Sequence, residues 1–274
     1  MAIVVGLLIG LVLGLTGAGG SLFAVPLLSM VLLLPLVDST GIALGAVAIS
    51  ALFGVLQRDR SEIAWLPALI ILITGAFFAP LGRWLAGHID DSLLLGLFSI
   101  LMVWVAVKMW RQARLAPDDT RIVRAKRWQQ SEEIVEPYCR QQQGRWTLSS
   151  RCLLVATLGG ATAGFLSGLL GVGGGFVVVP LLTLVAGLSM SQAVATSLFI
   201  ITGISAVGFA SHYWLVAPVD TELLLQVALG GILGMALGVR LGDRITGPVL
   251  QRSFAITLVV MLLVLWVTHV GEVV

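Results

Sequence analysis

Long apolar runs fill most of the chain, separated by short polar stretches. The runs at 41–56, 64–85, 93–110, 192–210, 223–241 and 249–268 are apolar on all sides and approach the roughly 20 residues that carry a helix across a bilayer. Helices that are hydrophobic all round belong in lipid or in a protein interior. Two further apolar regions have a different pattern. The run at 2–36 is cut at 17–21 and the run at 151–187 is cut at 171–175, each time by glycines. Apart from 152–170, the pieces beside these cuts have about 15 residues or fewer, which reach about 22 Å as helix, short of a roughly 30 Å hydrocarbon core. Short, Gly-interrupted pairs of this kind predict broken or re-entrant helices.

Between 111 and 150 the pattern turns polar and basic, as in RQARLAPDDTRIVRAKRWQQSEEIVEPYCRQQQGRW. This is a connector, a loop or a small peripheral helix, suited to water and anionic headgroups. Asp118, Asp119, Glu132, Glu133 and Glu136 dilute its positive charge, which argues against nucleic acid. The chain therefore divides into 1–110, a connector at 111–150, and 151–274. Composition agrees: 58% of residues are hydrophobic and 11% charged, where a soluble domain carries about a quarter charged. Such a chain is an integral membrane protein. Cys139 and Cys152 are not in a CxxC spacing and are expected to be two free thiols.

The halves repeat. Shifted by 154 residues, GLTGAGGSLFAVPLL (14–28) falls on GLLGVGGGFVVVPLL (168–182), with nine of fifteen positions identical. The same register pairs Leu44 with Leu198 and Gly54 with Gly208, and after a two-residue slip Gly82 pairs with Gly238. Basic residues give the orientation. Arg58 and Arg60, the nine Lys/Arg residues from Arg111 to Arg151, and Arg240, Arg244 and Arg252 occupy alternate connections. With these in the cytoplasm, both termini are extracytoplasmic. Arg83 alone falls on the other side, at a span end where it can snorkel. Three spans plus one broken pair per half give an odd count, so the second half is inverted. The predicted fold is all-α: two inverted repeats, each of three spans and one broken or re-entrant pair.

Entering from opposite sides, the two glycine turns would meet near the bilayer centre. Helix starts at Ser21–Leu22 and Gly175–Phe176 would point unpaired N–H groups and positive dipole ends at one volume, a ready anion site. Glycine adopts positive φ and lets backbone approach a ligand closely. Irregular backbone at that depth is tolerated where it lines a cavity or is buried in protein. Pro26 and Pro180 fall in the first turns after each break, where proline is least disruptive. The candidate substrate-binding residues are Gly17, Gly19, Gly20 and Ser21, their counterparts Gly171, Gly173, Gly174 and Gly175, and the hydroxyls of Thr196 and Ser197 at the next helix start. Ser39, beside Asp38, is expected to cap its helix.

GLTGAGGSLFAVPLL, the segment GLLGVGGGFVVVPLLTLVAGLSMSQAVATSLFIITGISAVGF and the basic mid-loop resemble the sulfite exporter TauE/SafE family of permeases, over nearly the whole chain. The resemblance implies movement of small sulfur-containing anions such as sulfite and organosulfonates across a bacterial-type inner (plasma) membrane. The first half departs from the pattern, with Ser21 in place of Gly175 and STGIAL (39–44) in place of AVATSL (193–198).

Other chemistries fit poorly. The glycine runs lack the Lys-Ser/Thr of a phosphate loop and the spacing of a dinucleotide site. His88, His212 and His269 lie scattered among span ends with no HExxH. No enzyme activity, metal or cofactor is expected. The partners are a small anionic substrate and the bilayer, with no oligomeric state assigned. The competing reading is a non-transporting scaffold or assembly subunit that docks through 111–150. The predicted spans hold almost no titratable group, so an anion would cross uncompensated. With a negative cytoplasm, each 100 mV favours outward movement of one negative charge by about 2.3 kcal/mol, which predicts electrogenic export.

Overall fold

The computed structural model describes residues 1–17, 20–115, 140–142, 145–147, 150–186, 188, 190–216, 219–242, 256 and 259–260. The first half holds α1 (Ala2–Thr16), α2 (Gly20–Val31), α3 (Leu36–Leu56), α4 (Trp65–Ala86) and α5 (Asp91–Leu115). The second holds α6 (Ser150–Leu170), α7 (Gly175–Ala186), α8 (Met190–Leu215) and α9 (Thr221–Gly242). The protein is all-α in its membrane part. Both cuts separate pairs of helices, α1/α2 and α6/α7. The predicted span at 249–268 lies mostly outside the described residues. Among the described residues α3, α4, α6, α8 and α9 are long and apolar enough to cross a bilayer, so α6 alone reaches that length within its pair.

Several helices overrun their apolar runs. Helix α3 begins at Leu36, so Asp38, Ser39 and Thr40 lie inside its first turns. Its N-cap is Pro35, whose carbonyl accepts the Ser39 N–H at 2.9 Å. Ser39 is therefore not the cap that its residue type suggested. Helix α5 continues to Leu115 through RQARL, which is rich in good helix formers. Helix α9 has the side-chain cap: Asp220 Oδ1 accepts the N–H groups of Glu222 and Leu223 at 2.9 and 3.2 Å. Pro26 and Pro180 lie inside α2 and α7, beyond the opening turn, where each removes a ladder bond.

Within each pair the chain turns back on itself. A Cβ on Gly20 would strike Leu13 and the Ile9 carbonyl of α1, and one on Gly174 would approach the Ala163 carbonyl oxygen of α6, the residue that repeats Ile9. Farther along, Gly159 of α6 meets Leu181 of α7, so the two run antiparallel. Helix packing between the halves is reciprocal. Helix α1 lies along α9 and α4 along α6, while α3 crosses α8. Exchanging the repeats turns the first of these pairings into the second and returns the third to itself.

Glycine makes these contacts. Gly6, Gly10 and Gly14 of α1 face the backbone of Val227, Gly231 and Met235, and Gly230, Gly234 and Gly238 of α9 face the carbonyls of Ile3, Leu7 and Leu11. On the other side Gly160, Gly164 and Gly168 of α6 face the carbonyls of Ile71, Gly75 and Ala79. In lipid no hydrophobic effect drives helices together, and small residues that allow close backbone approach supply the association.

The connector contributes a short antiparallel hairpin, β1 (Arg140–Gln142) and β2 (Arg145–Thr147), with Arg140 opposite Thr147. The rest of 116–149 lies outside the described residues. Cys152, in the first turn of α6, is disulfide-bonded, and the described chain has no free cysteine. The expectation of free thiols is thereby overturned. Residue 139 is the only other cysteine, and the hairpin returns the chain from 140 to 147, three residues short of α6.

The glycines differ in what a methyl group would meet, and stability should follow. Gly82→Ala drives a Cβ onto the Phe165 carbonyl and should destabilise by about 1–3 kcal/mol. Gly96 of α5 has open space around its Cβ position, so Gly96→Ala should be neutral or stabilise by up to about 1 kcal/mol. Thermal unfolding of the two variants in detergent checks this; equal melting temperatures would refute the packing role.

Candidate functional site

The helix breaks are made by glycines in the left-handed region. Gly17 has φ +71° and ends α1, with its N–H on the Leu13 carbonyl at 2.7 Å. Its repeat Gly171 also has φ +71°, with its N–H on the Ser167 carbonyl at 2.9 Å. Gly173 and Gly174 follow at φ +67° and +65° before α7 starts at Gly175. An L side chain is strained at each of these four positions. Gly19 lies outside the described residues; Gly20 opens α2 against α1.

The two breaks come together at Gly173. Its Cβ position is 3.1 Å from Ser21 Cβ, 3.0 Å from Ser205 Oγ and 3.3 Å from Val47 Cγ1. Ser21 is the second residue of α2, Val47 lies midway along α3, and Ser205 belongs to α8. All three sit on elements outside the second break, so this point is where the halves converge. Ser205 is fully buried, and its hydroxyl has no partner among the described residues. Ser167, a turn before the second break, has an unpartnered buried hydroxyl too. Buried polar groups almost always find a partner, which makes these two hydroxyls candidates for contact with a polar ligand.

The breaks also contact the helix starts of the opposite half. Gly17 lies against Val194 of α8, and Gly171 against Thr40 of α3, its counterpart by the repeat. Ser197 Oγ lies 3.1 Å from the Gly17 carbonyl oxygen and 2.9 Å from that of Val194, sharing its proton between them. Thr196 Oγ1 accepts the Ala64 N–H, at the start of α4, at 3.1 Å. Both hydroxyls are thus engaged with backbone and hold the first break and α4 in place.

Two ionisable side chains inside the bundle escaped the sequence reading. Arg83 is 2% exposed instead of snorkelling to the surface, and its Nη1 donates to Thr40 Oγ1 at 2.9 Å. Close packing of α4 on α6, with Gly168 against the Arg83 backbone, turns position 83 inward. His212 is 0% exposed, because α8 runs five residues past its apolar run and places the ring over Gly41. The available signal was an arginine placed between Gly82 and Trp84 near the end of an apolar run, since ionisable residues in spans are functional by default.

The chain is similar to known proteins over nearly its whole length. The profile of the sulfite exporter TauE/SafE family matches residues 2–265. A probable membrane transporter protein of Xylella fastidiosa (strain 9a5c) is 31% identical over 270 residues, which cover 94% of this chain and 92% of the relative. Another, from Methanocaldococcus jannaschii, is 25% identical and covers 95% and 92%. The probable membrane transporter protein YdhB of Bacillus subtilis is 24% identical and covers 94% and 96%. No solved structure matches.

The bond between Thr196 and Ala64 gives a stability prediction. Thr196→Val keeps the shape but leaves the buried Ala64 N–H unpaired, which should lower stability by about 1–3 kcal/mol. Chemical or thermal denaturation of the purified variant measures it; unchanged stability would mean that water or another acceptor replaces the hydroxyl.

Proposed function

The chain belongs to the sulfite exporter TauE/SafE family, and from that premise we propose that this membrane transporter exports small sulfur-containing oxyanions, sulfite or a sulfonate, through a site at its two glycine breaks. The carrying observation is the convergence at Gly173, where Ser21 and the unpartnered Ser205 hydroxyl adjoin a left-handed backbone turn. In this proposal Gly17, Gly20 and Ser21 from one break and Gly171, Gly173, Gly174 and Gly175 from the other line the site; Gly19, assigned to it from the sequence, lies outside the described residues. Thr196 and Ser197 steady them from behind. Helix starts supply N–H donors and partial positive charge without a proton to exchange. The anion then trades water for oriented dipoles in a setting where each is worth more than in bulk.

In this reading the repeats are inverted, both termini are extracytoplasmic, and the protein sits in the inner membrane. The Lys/Arg asymmetry supports that orientation. The disulfide at Cys152 pulls the other way, because disulfides persist in oxidising compartments. Labelling of single cysteines from outside decides it: a C-terminal position should react and Gln142 should not, and the reverse pattern would overturn the orientation.

The site itself is tested at Gly173. A leucine there meets Ser205, Ser21 and Val47 and carries a strained φ. Gly173→Leu should abolish sulfite flux in proteoliposomes while membrane insertion remains near normal. Normal flux would place the site elsewhere. The same vesicles with a potassium-set potential test the driving force. Outward flux should grow with an interior-negative potential, and flux that follows only an imposed pH gradient would replace electrogenic export with proton coupling.

A further inference from the structure

Arg83 and His212 are not accounted for by the glycine breaks. Thr40 and Gly41, neighbours on α3, bring them together: Arg83 Nη1 donates to Thr40 Oγ1 at 2.9 Å, and the His212 ring lies on Gly41. Thr40 also stands against Gly171 of the second break, so three helices and one break converge here. Arg83 Nε and both ring nitrogens of His212 are buried and have no partner among the described residues. The ion pair of the described chain is Arg58 with Glu62, 3.6 Å apart beyond the other end of α3. Arg83 thus has no carboxylate partner among the described residues. A buried, unpaired charge costs several kcal/mol in the absence of a counterion.

The duplication shows what packing alone requires at these positions. Val194 stands on Gly17 as Thr40 stands on Gly171, and Val239 occupies the position that repeats Arg83. Valine satisfies the architecture in the second half. The arginine and its hydroxyl partner are therefore additions to one end of the bundle, not demands of the fold. Thr40 and Val47 are seven residues apart on one face of α3, which separates them by about 10 Å along the axis. Gly171 lies at the first level and Gly173 at the second.

We propose that Arg83 and His212 form a second oxyanion station beside Gly171, about 10 Å along α3 from the Gly173 convergence and towards the end where α3 begins. The proposal rests on the permease reading above. A guanidinium offers parallel N–H donors that match two oxygens of a sulfite or sulfonate, and a neutral imidazole offers one donor and one acceptor. The bound anion becomes the counterion that Arg83 lacks. In the proposed orientation this end is extracytoplasmic, so the anion meets a fixed positive charge on its way out. With the central site built of dipoles and this one of charge, the two stations differ in kind.

Sulfite is the probe, read in two ways on the full-length protein: half-saturation of flux in proteoliposomes, and the sulfite-induced rise in melting temperature in detergent. Arg83→Gln should raise half-saturation about tenfold or more and reduce the melting shift to the part that the Gly173 site alone supplies. Arg83→Lys, which keeps charge but not the fork, should fall between, and His212→Gln should weaken both readouts. Arg240→Gln, exposed at the end of α9, controls for loss of surface charge and should leave both unchanged. Arg83→Gln with wild-type half-saturation and melting shift would overturn the station while leaving the permease reading intact. If that variant does not fold, Arg83→Lys and His212→Gln both matching wild type overturn it equally. Wild-type protein that moves neither sulfite nor a panel of sulfonates would defeat the permease reading, and this inference with it.

Discussion

Direct contact between helix backbones, made possible by glycine, is the constraint on which the rest of the structure depends. Gly6, Gly10 and Gly14 bring α1 onto α9, and Gly160, Gly164 and Gly168 bring α6 onto α4. Any side chain in these rows would collide with a carbonyl oxygen of the opposite helix. In a bilayer this closeness replaces the hydrophobic effect as the source of association. Each of these pairs joins a helix of one repeat to a helix of the other, so the same contacts fuse the two halves into one body.

That fusion fixes where the breaks end. Gly14 and Gly168 are the last packing glycines before Gly17 and Gly171, where φ turns positive and the chain leaves the helix. Anchored so close to their ends, α1 and α6 deliver each break onto the first turns of a helix from the opposite half, Gly17 onto Val194 and Gly171 onto Thr40. The returning helices α2 and α7 then bring Ser21 and Gly173 together. A substitution far along the glycine rows would act on this junction through the position of the whole helix, without touching the junction itself.

Against this near-symmetric frame the polar groups are one-sided. Thr40, Arg83 and His212 gather at one end of α3, and Arg58, Glu62 and Ser191 at the other. The second group is a network of one ion pair and hydrogen bonds that ties the α3–α4 connection to the start of α8 and leaves Arg58 Nε without a partner among the described residues. The first has a buried cation and unpartnered nitrogens. Duplication supplies a scaffold with two equivalent ends, and subsequent side-chain differences give those ends different chemistry.

The sequence by itself determined the class, the helices and the breaks. Apolar runs of span length have one stable form in lipid, and the repeated Gly/Pro frame from Gly14 to Leu28 and from Gly168 to Leu182 locates both interruptions without any knowledge of packing. Helix ends were less legible: α3, α5 and α8 extend past their apolar runs, because Asp38, Gln112 or His212 can continue a helix as readily as end one. Only the tertiary structure decided which faces meet. It turned Arg83 inward beside Thr40, gave Thr196 to the Ala64 N–H, left the Ser205 hydroxyl at Gly173, and placed Cys152 in a disulfide. The physical reason is that in helices apolar all round no stripe of sequence marks the inner face. That face is chosen by where two backbones can approach, a property of pairs of helices that no single segment carries.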